Sequence, residues 1–119
     1  MFLWAITDDR RLSKAYRSAF EEPANELFLS VASVWEILIK CGLDKLPLPR
    51  PAARYIEGQM ETNRIATLGM RAKHFAELEK LPALHRDPFD RMIAAQAIAE
   101  GMPLMTADRA LRKYGVKTL

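Results

Sequence analysis

Three acids, far apart in the sequence, are of a type and setting that could do chemistry together: Glu36, Asp90 and Asp108. Asp90 belongs to HRDPFDRMIAAQA, residues 85–97, where Asp87 and Asp90 flank a Pro-Phe pair and an almost wholly apolar run follows. Glu36 lies inside VASVWEILI, and Asp108 comes two residues after Thr106. Each acid also has a purely structural explanation. Ser33-x-x-Glu36 fits a capping box, and Asp87-x-x-Asp90 resembles one with an aspartate at its far end. Asp108 alone can serve as an N-cap. Helix starts favour anions in any case, by about 0.3–1 kcal/mol each. Taken together, the three acids allow more. A carboxylate among buried neighbours is costly unless it is paired, hydrogen-bonded or bound to a metal. Carboxylates brought close raise each other's pKa, and a divalent cation reverses that penalty. Carboxylate and water ligands suit Mg²⁺ or Mn²⁺, ions that activate water and stabilise charge in phosphodiester hydrolysis.

A parallel α/β sheet is the architecture that gathers such acids, because its sites form beyond the carboxyl ends of the strands. The pattern of the chain fits one. Leu12, Ala15, Tyr16, Ala19 and Phe20 recur at helical spacing, and Pro23 follows. Leu27 to Leu29 is a short buried strand, and Ser30 to Cys41 is a helix that Gly42 closes. LPLPRP is a loop, with Pro51 in the first turn of a helix carrying Ala52, Tyr55, Ile56 and Met60 on one face. Ile65 to Leu68 is extended, and Arg71 to Lys80 is helical with His74, Phe75 and Leu78 on one side. Asp87 caps the next helix, with Pro88 at its first position and Asp90 at its third. Met92 to Ala99 is apolar nearly all round, so this helix is buried, and Gly101 ends it. Leu104 to Thr106 reads as a strand, Arg109 to Tyr114 as a helix capped by Asp108, and Val116 to Leu119 as an edge strand.

The bulk numbers fit a single domain. The chain has 119 residues, half of them hydrophobic and 28% charged, which is ordinary globular composition. A net charge of +3 permits an anionic partner without requiring one. Cys41 is the sole cysteine, which excludes an internal disulfide and suggests a small buried side chain. His74 and His85 form no Cys/His cluster, so a structural zinc site is not expected. No apolar run approaches a membrane span, and MFLWAI lacks the length and basic leader of a signal peptide. A cytoplasmic protein is the default expectation.

On these residues the sequence resembles a PIN domain and, more narrowly, the VapC-type ribonuclease toxins of bacterial toxin–antitoxin pairs. The matching segments are SVASVWEILIKCGLDKLPLP and HRDPFDRMIAAQAIAEGMPLMTADRALRKYGVKTL, with a weaker match in FLWAITDDRRLS. The resemblance implies a three-layer α/β sandwich with a mostly parallel central sheet. It also implies Mg²⁺- or Mn²⁺-dependent cleavage of single-stranded RNA, a homodimer, neutralisation by a small antitoxin and no membrane partner. The family's acidic site maps onto Glu36, Asp90 and Asp108 as catalytic and metal-holding residues, with Thr106 supporting the last acid. Asp87 is then the helix cap, and Arg91 and His85 are nearby contributors. Arg10, Arg11, Lys14, Arg109, Arg112 and Lys113 are candidates for attracting RNA phosphate, with a solvated surface as their ordinary alternative.

The family pattern opens with a strand that ends in an aspartate, ahead of the FLW segment. The sequence starts at Met1-Phe2-Leu3-Trp4, and Asp8 and Asp9 match the turn after the first helix instead. The expectation is therefore an N-terminally incomplete PIN-like domain over residues 1–119, through a start assigned too late, a truncation or degeneration. A gap in the core and unpaired backbone groups beside it should follow, at about 1–3 kcal/mol per buried group. Two other functions stay open: a catalytically impaired module that binds an antitoxin or another protein, and a plain basic α/β domain with well-capped helices. Phe2, Trp4 and Trp35 are candidates for a binding face, with buried core the expected role of Trp35.

Overall fold

Apolar periodicity sets the elements, and the first to form a sheet are two short strands. The computed structural model describes residues 12–84, 86–106 and 108–118, with the backbone alone at 109. Helix α1 (Lys14–Glu21) starts at Ser13, whose hydroxyl accepts from the Tyr16 N–H. Strand β1 (Leu27–Ser30) follows, then helix α2 (Val31–Gly42), helix α3 (Ala52–Thr62) and strand β2 (Ile65–Leu68). The two strands pair in parallel, Leu27 opposite Ile65 through Ser30 opposite Leu68, so α2 and α3 make the crossover. Helix α4 (Ala72–Lys80) and helix α5 (Pro88–Glu100) pack on each other, and a short 3-10 helix (Arg109–Tyr114) closes the described chain. A lone parallel bridge joins Leu104 to Thr118, with Leu104 N–H donating to the Lys117 carbonyl.

Two apolar clusters form the core. Leu29, Ile56 and Met60 centre the first, with Val34, Ile37, Leu38, Leu48 and Ile65 packed around them. Ala94, Ala97, Leu111, Tyr114 and Val116 centre the second, with Leu81, Ile98 and Leu104 at its edge. The expected burial of α5 is observed: Met92 and residues 94–97 are all buried. Its ends are fixed as the sequence predicts. Asp87 Oδ1 accepts from the N–H groups of Phe89 and Asp90, and Gly101 takes the left-handed conformation at φ 66°.

Between the clusters runs a buried polar network. The Ser30 hydroxyl accepts from the Ala32 N–H, capping α2, and donates to Gln96 Oε1. Gln96 Nε2 donates to the Gly69 carbonyl just beyond β2, at 3.3 Å, and stands 3.5 Å from His74 Nδ1. His74 Nδ1 accepts from the Arg71 N–H at 3.0 Å, which leaves the ring proton on Nε2 to donate to Glu100 at 2.8 Å. Lys73 pairs with the same carboxylate oxygen at 2.9 Å. His74 and Gln96 are almost wholly buried, and their ring and amide orientations are fixed by these partners.

Several expectations need correction. Ser30, not Ser33, caps α2, so Ser33-x-x-Glu36 is not a capping box; Ser33 is already inside the helix. Gly42 is the last helical residue, and the left-handed turn falls on Asp44 at φ 55°. Pro51 is the N-cap of α3 rather than a first-turn residue. Trp35 is 57% exposed, because α2 turns Val34, Ile37, Leu38 and Cys41 inward and leaves Trp35, Ile39 and Leu43 on another face. Phe75 is 51% exposed: it lies one position, about 100°, round α4 from the buried His74. Instead of strands at Leu104 to Thr106 and Val116 to Leu119, the described residues there form a single bridge, because one paired position does not make a ladder. The helix after Asp108 is a 3-10 helix, a form common in such short pieces.

Two outcomes test this packing. Ile56→Ala should lower stability by about 2–5 kcal/mol in urea unfolding, as expected for truncation in a filled core, whereas Phe75→Ala should stay within about 0.5 kcal/mol. The second concerns acid. The Lys73 ammonium, and then the His74 N–H, hold the Glu100 carboxyl below its ordinary range. A depressed pKa contributes stability above the unfolded-state value, lost as pH falls through the folded one. The urea midpoint should therefore drop as pH falls below about 4.5. Glu100→Gln should remove part of that drop; an identical acid limb in the variant would refute the assignment.

Candidate active site

The edge of β1 that has no partner strand among the described residues borders a cavity of about 750 Å³. Residues 27–30 all line it, and β2 is the partner on the strand's other edge. Leu29 of the first apolar cluster and Ala97 and Leu111 of the second also face it, so the cavity lies where the two clusters would otherwise meet. Glu36 from α2, Asp90 from the first turn of α5 and Asp108 from the turn before the 3-10 helix all line this one cavity. The structure thus brings to one space three acids that the sequence separates by 54 and 18 positions.

Each acid is placed by its own local device. Glu36 follows Trp35 on α2 and pairs with Lys40 one turn on, at 3.7 Å, with its side chain 24% exposed. At this distance and exposure the pair is a weak one. Asp90 sits in the first turn of α5, where its backbone N–H is held by Asp87. Asp108 is anchored twice: its N–H donates to Thr106 Oγ1 at 3.0 Å, and its Oδ1 accepts from the Ala110 N–H at 2.9 Å. Thr106 lines the same cavity. Asp87 does not, and its carboxylate caps the helix.

The donors are hard carboxylate oxygens, the kind Mg²⁺ and Mn²⁺ prefer. Among the described residues no three Asp, Glu, His or Cys side chains stand close enough to enclose an ion by themselves. That is compatible with Mg²⁺, which is commonly held by one or two carboxylates and keeps water and substrate oxygens for the rest. The acids therefore suit a divalent ion in donor chemistry, and among the described residues they form no closed cage.

The remaining candidates fall elsewhere. Arg91 lies one position round α5 from Asp90 and is not part of the cavity wall. Its Nη2 donates to the Leu81 carbonyl at 3.3 Å, which ties the helix to the preceding loop, and its buried Nε has no partner among the described residues. Lys14, Arg112 and Lys113 are exposed. Arg10, Arg11, Asp8, Asp9, Phe2, Trp4, His85 and the Arg109 side chain lie outside the described residues. Sequence reasoning gave no site role to Ser30, Ser33, Lys40 or Gln96, all of which line the cavity. Gln96 carried a readable signal, as the one polar side chain in MIAAQAIA.

Among the described residues no helix is long and apolar enough to cross a membrane. The PIN domain family model matches residues 1–117. Ribonuclease VapC22 of Mycobacterium tuberculosis (strain ATCC 25618 / H37Rv) is 31% identical over 112 residues, which cover 93% of this chain and 84% of that protein. Ribonuclease VapC16 of the same organism is 37% identical over 60 residues, half of this chain and 43% of that protein. With the parallel strands, the acid-lined cavity and these matches together, the chain belongs to the PIN-domain family, in its VapC-type branch.

Proposed function

We propose that the protein is a metal-dependent endoribonuclease toxin that hydrolyses phosphodiester bonds of single-stranded RNA. The observation that carries this reading is the convergence of Glu36, Asp90 and Asp108 on one cavity. Relatives named as ribonucleases support the reaction class. Glu36, Asp90 and Asp108 would hold Mg²⁺ or Mn²⁺. When bound, that ion supplies an activated water and neutralises charge on the scissile phosphate. The chain's own part is placement. Thr106 and the Ala110 N–H orient Asp108, Asp87 fixes the turn that presents Asp90, and Lys40 sits beside Glu36. Arg112 and Lys113, with Arg10, Arg11, Lys14 and Arg109, attract the RNA backbone in a salt-dependent way.

The toxin works in the cytoplasm as a homodimer neutralised by a small antitoxin. The exposed apolar stripe of Trp35, Ile39 and Leu43 along α2 supports a protein partner. It is also the observation that favours the second reading, a catalytically impaired module that keeps its partner.

Single-stranded RNA incubated with Mn²⁺ tests the first reading directly. Asp90→Asn and Asp108→Asn should each slow cleavage by about 100-fold or more, at least what loss of an outer-sphere partner of a metal site typically costs. Cleavage that survives both substitutions, in proteins with unchanged melting curves, places the chemistry elsewhere. RNA left intact by the unmutated protein, with tight capture of the neighbouring gene product, selects the second reading.

A further inference from the structure

Two of the acid-bearing elements are joined by contacts of an unusual kind. α2 carries Glu36 and α5 carries Asp90. At one point Ser30, the N-cap of α2, donates to Gln96 in the middle of α5. At a second point the Trp35 and Phe89 rings meet edge to face, with centroids 5.3 Å apart and planes at 88°. The partners run in opposite chain directions, 30 with 96 and 35 with 89, so two points define one register between the helices. Glu36 and Asp90 are the residues immediately after Trp35 and Phe89.

We infer that Ser30 and Gln96 are positioning residues: their buried hydrogen bond sets the register of α2 against α5 and thereby the separation of Glu36 from Asp90. The inference rests on the proposed metal-dependent reading of those acids. Gln96 suits the role because every polar atom of its amide is committed. Oε1 accepts from Ser30, and Nε2 donates to the Gly69 carbonyl, with His74 Nδ1 beyond. Its amide orientation is fixed by the Gly69 carbonyl, which can only accept: Nε2 must face that carbonyl, which leaves Oε1 to accept the Ser30 proton. The rest of α5's buried surface is alanine and methionine, which packs but does not specify a register. A slip of one residue along α5 moves a side chain by about 1.5 Å and turns it by about 100°. A misplacement near 1 Å can already cost about 100-fold in rate.

The test uses the full chain, with Gln96→Leu and Ser30→Ala as the disrupting variants, Ser30→Thr as the conservative one and Ile56→Ala as a destabilised control that keeps both partners of the contact. Calorimetric titration with Mn²⁺, at a temperature where all are folded, should show affinity reduced about 10–100-fold in Gln96→Leu and Ser30→Ala. The double variant should be no worse than either alone. Ser30→Thr should restore binding, and Ile56→Ala should bind as the unmutated protein does. In cleavage assays the loss should fall on the rate at saturating RNA and leave KM unchanged. Unaltered Mn²⁺ affinity in both disrupting variants overturns the inference. A second readout needs no metal: with Trp4→Phe as background, Trp35 is the only tryptophan, and its emission reports its contact with Phe89. If the unmutated protein neither binds Mn²⁺ nor cuts RNA, the metal reading fails. The register assignment then stands or falls on whether Gln96→Leu shifts that emission.

Discussion

Helix α5 has to be buried on nearly all sides, and most of the molecule follows from that constraint. Met92, Ala94, Ala95 and Ala97 have no polar face to show to water. The small side chains of the three alanines let α4, α2 and the 3-10 helix come close. A helix so enclosed cannot leave its ends unsatisfied, since orphaned backbone groups inside a protein are costly. Asp87 closes one end and Gly101, in the left-handed region, the other. The position of Asp90 is thus a consequence of packing: the helix is fixed by its surroundings, and its first turn opens onto the cavity.

Among the described residues the two apolar clusters are separate. β1, α2 and α3 build one; α5, the 3-10 helix and the last segment build the other. Much of what bridges them is directional, from Ser30 through Gln96 and His74 to Glu100 and Lys73. Because every member is satisfied, the network avoids the penalty that a half-paired buried group would carry. Glu36 belongs to the first half of the fold, and Asp90 and Asp108 to the second, so the acids come together only as the halves dock.

How much of this was legible in the sequence depends on what each feature needs. Asp87, Pro88 and Gly101 announce α5 through local rules that hold whatever surrounds the helix, and the observed helix agrees. The parallel strands were readable as short apolar runs between helical patterns. Features that need a partner were not. Trp35 and Phe75 looked buried because periodicity assigns residues to faces without saying which face another element covers. The cap of α2 could have been Ser30 or Ser33, and only the end of β1 decides. Leu104 to Thr106 has strand-like residues, but a strand is defined by what pairs with it. The acids were the hardest case, because spacing alone cannot separate a helix cap from a ligand.

Asp87 and Asp90 show where that separation comes from. Both are aspartates at the start of one helix, three residues apart, in the same favourable field of the helix dipole. Asp87 turns back on the helix and accepts from two of its N–H groups. Asp90, almost one turn further on, faces the space that Glu36 and Asp108 also face. The helix alone accounts for the first aspartate. For the second it supplies only a location, and the company found there comes from two other elements. Apolar packing alone would tolerate those elements sliding by a fraction of a turn. A hydrogen bond from a capped serine to a doubly engaged glutamine does not, which is why the one polar residue inside α5 belongs with the acids as much as with the core.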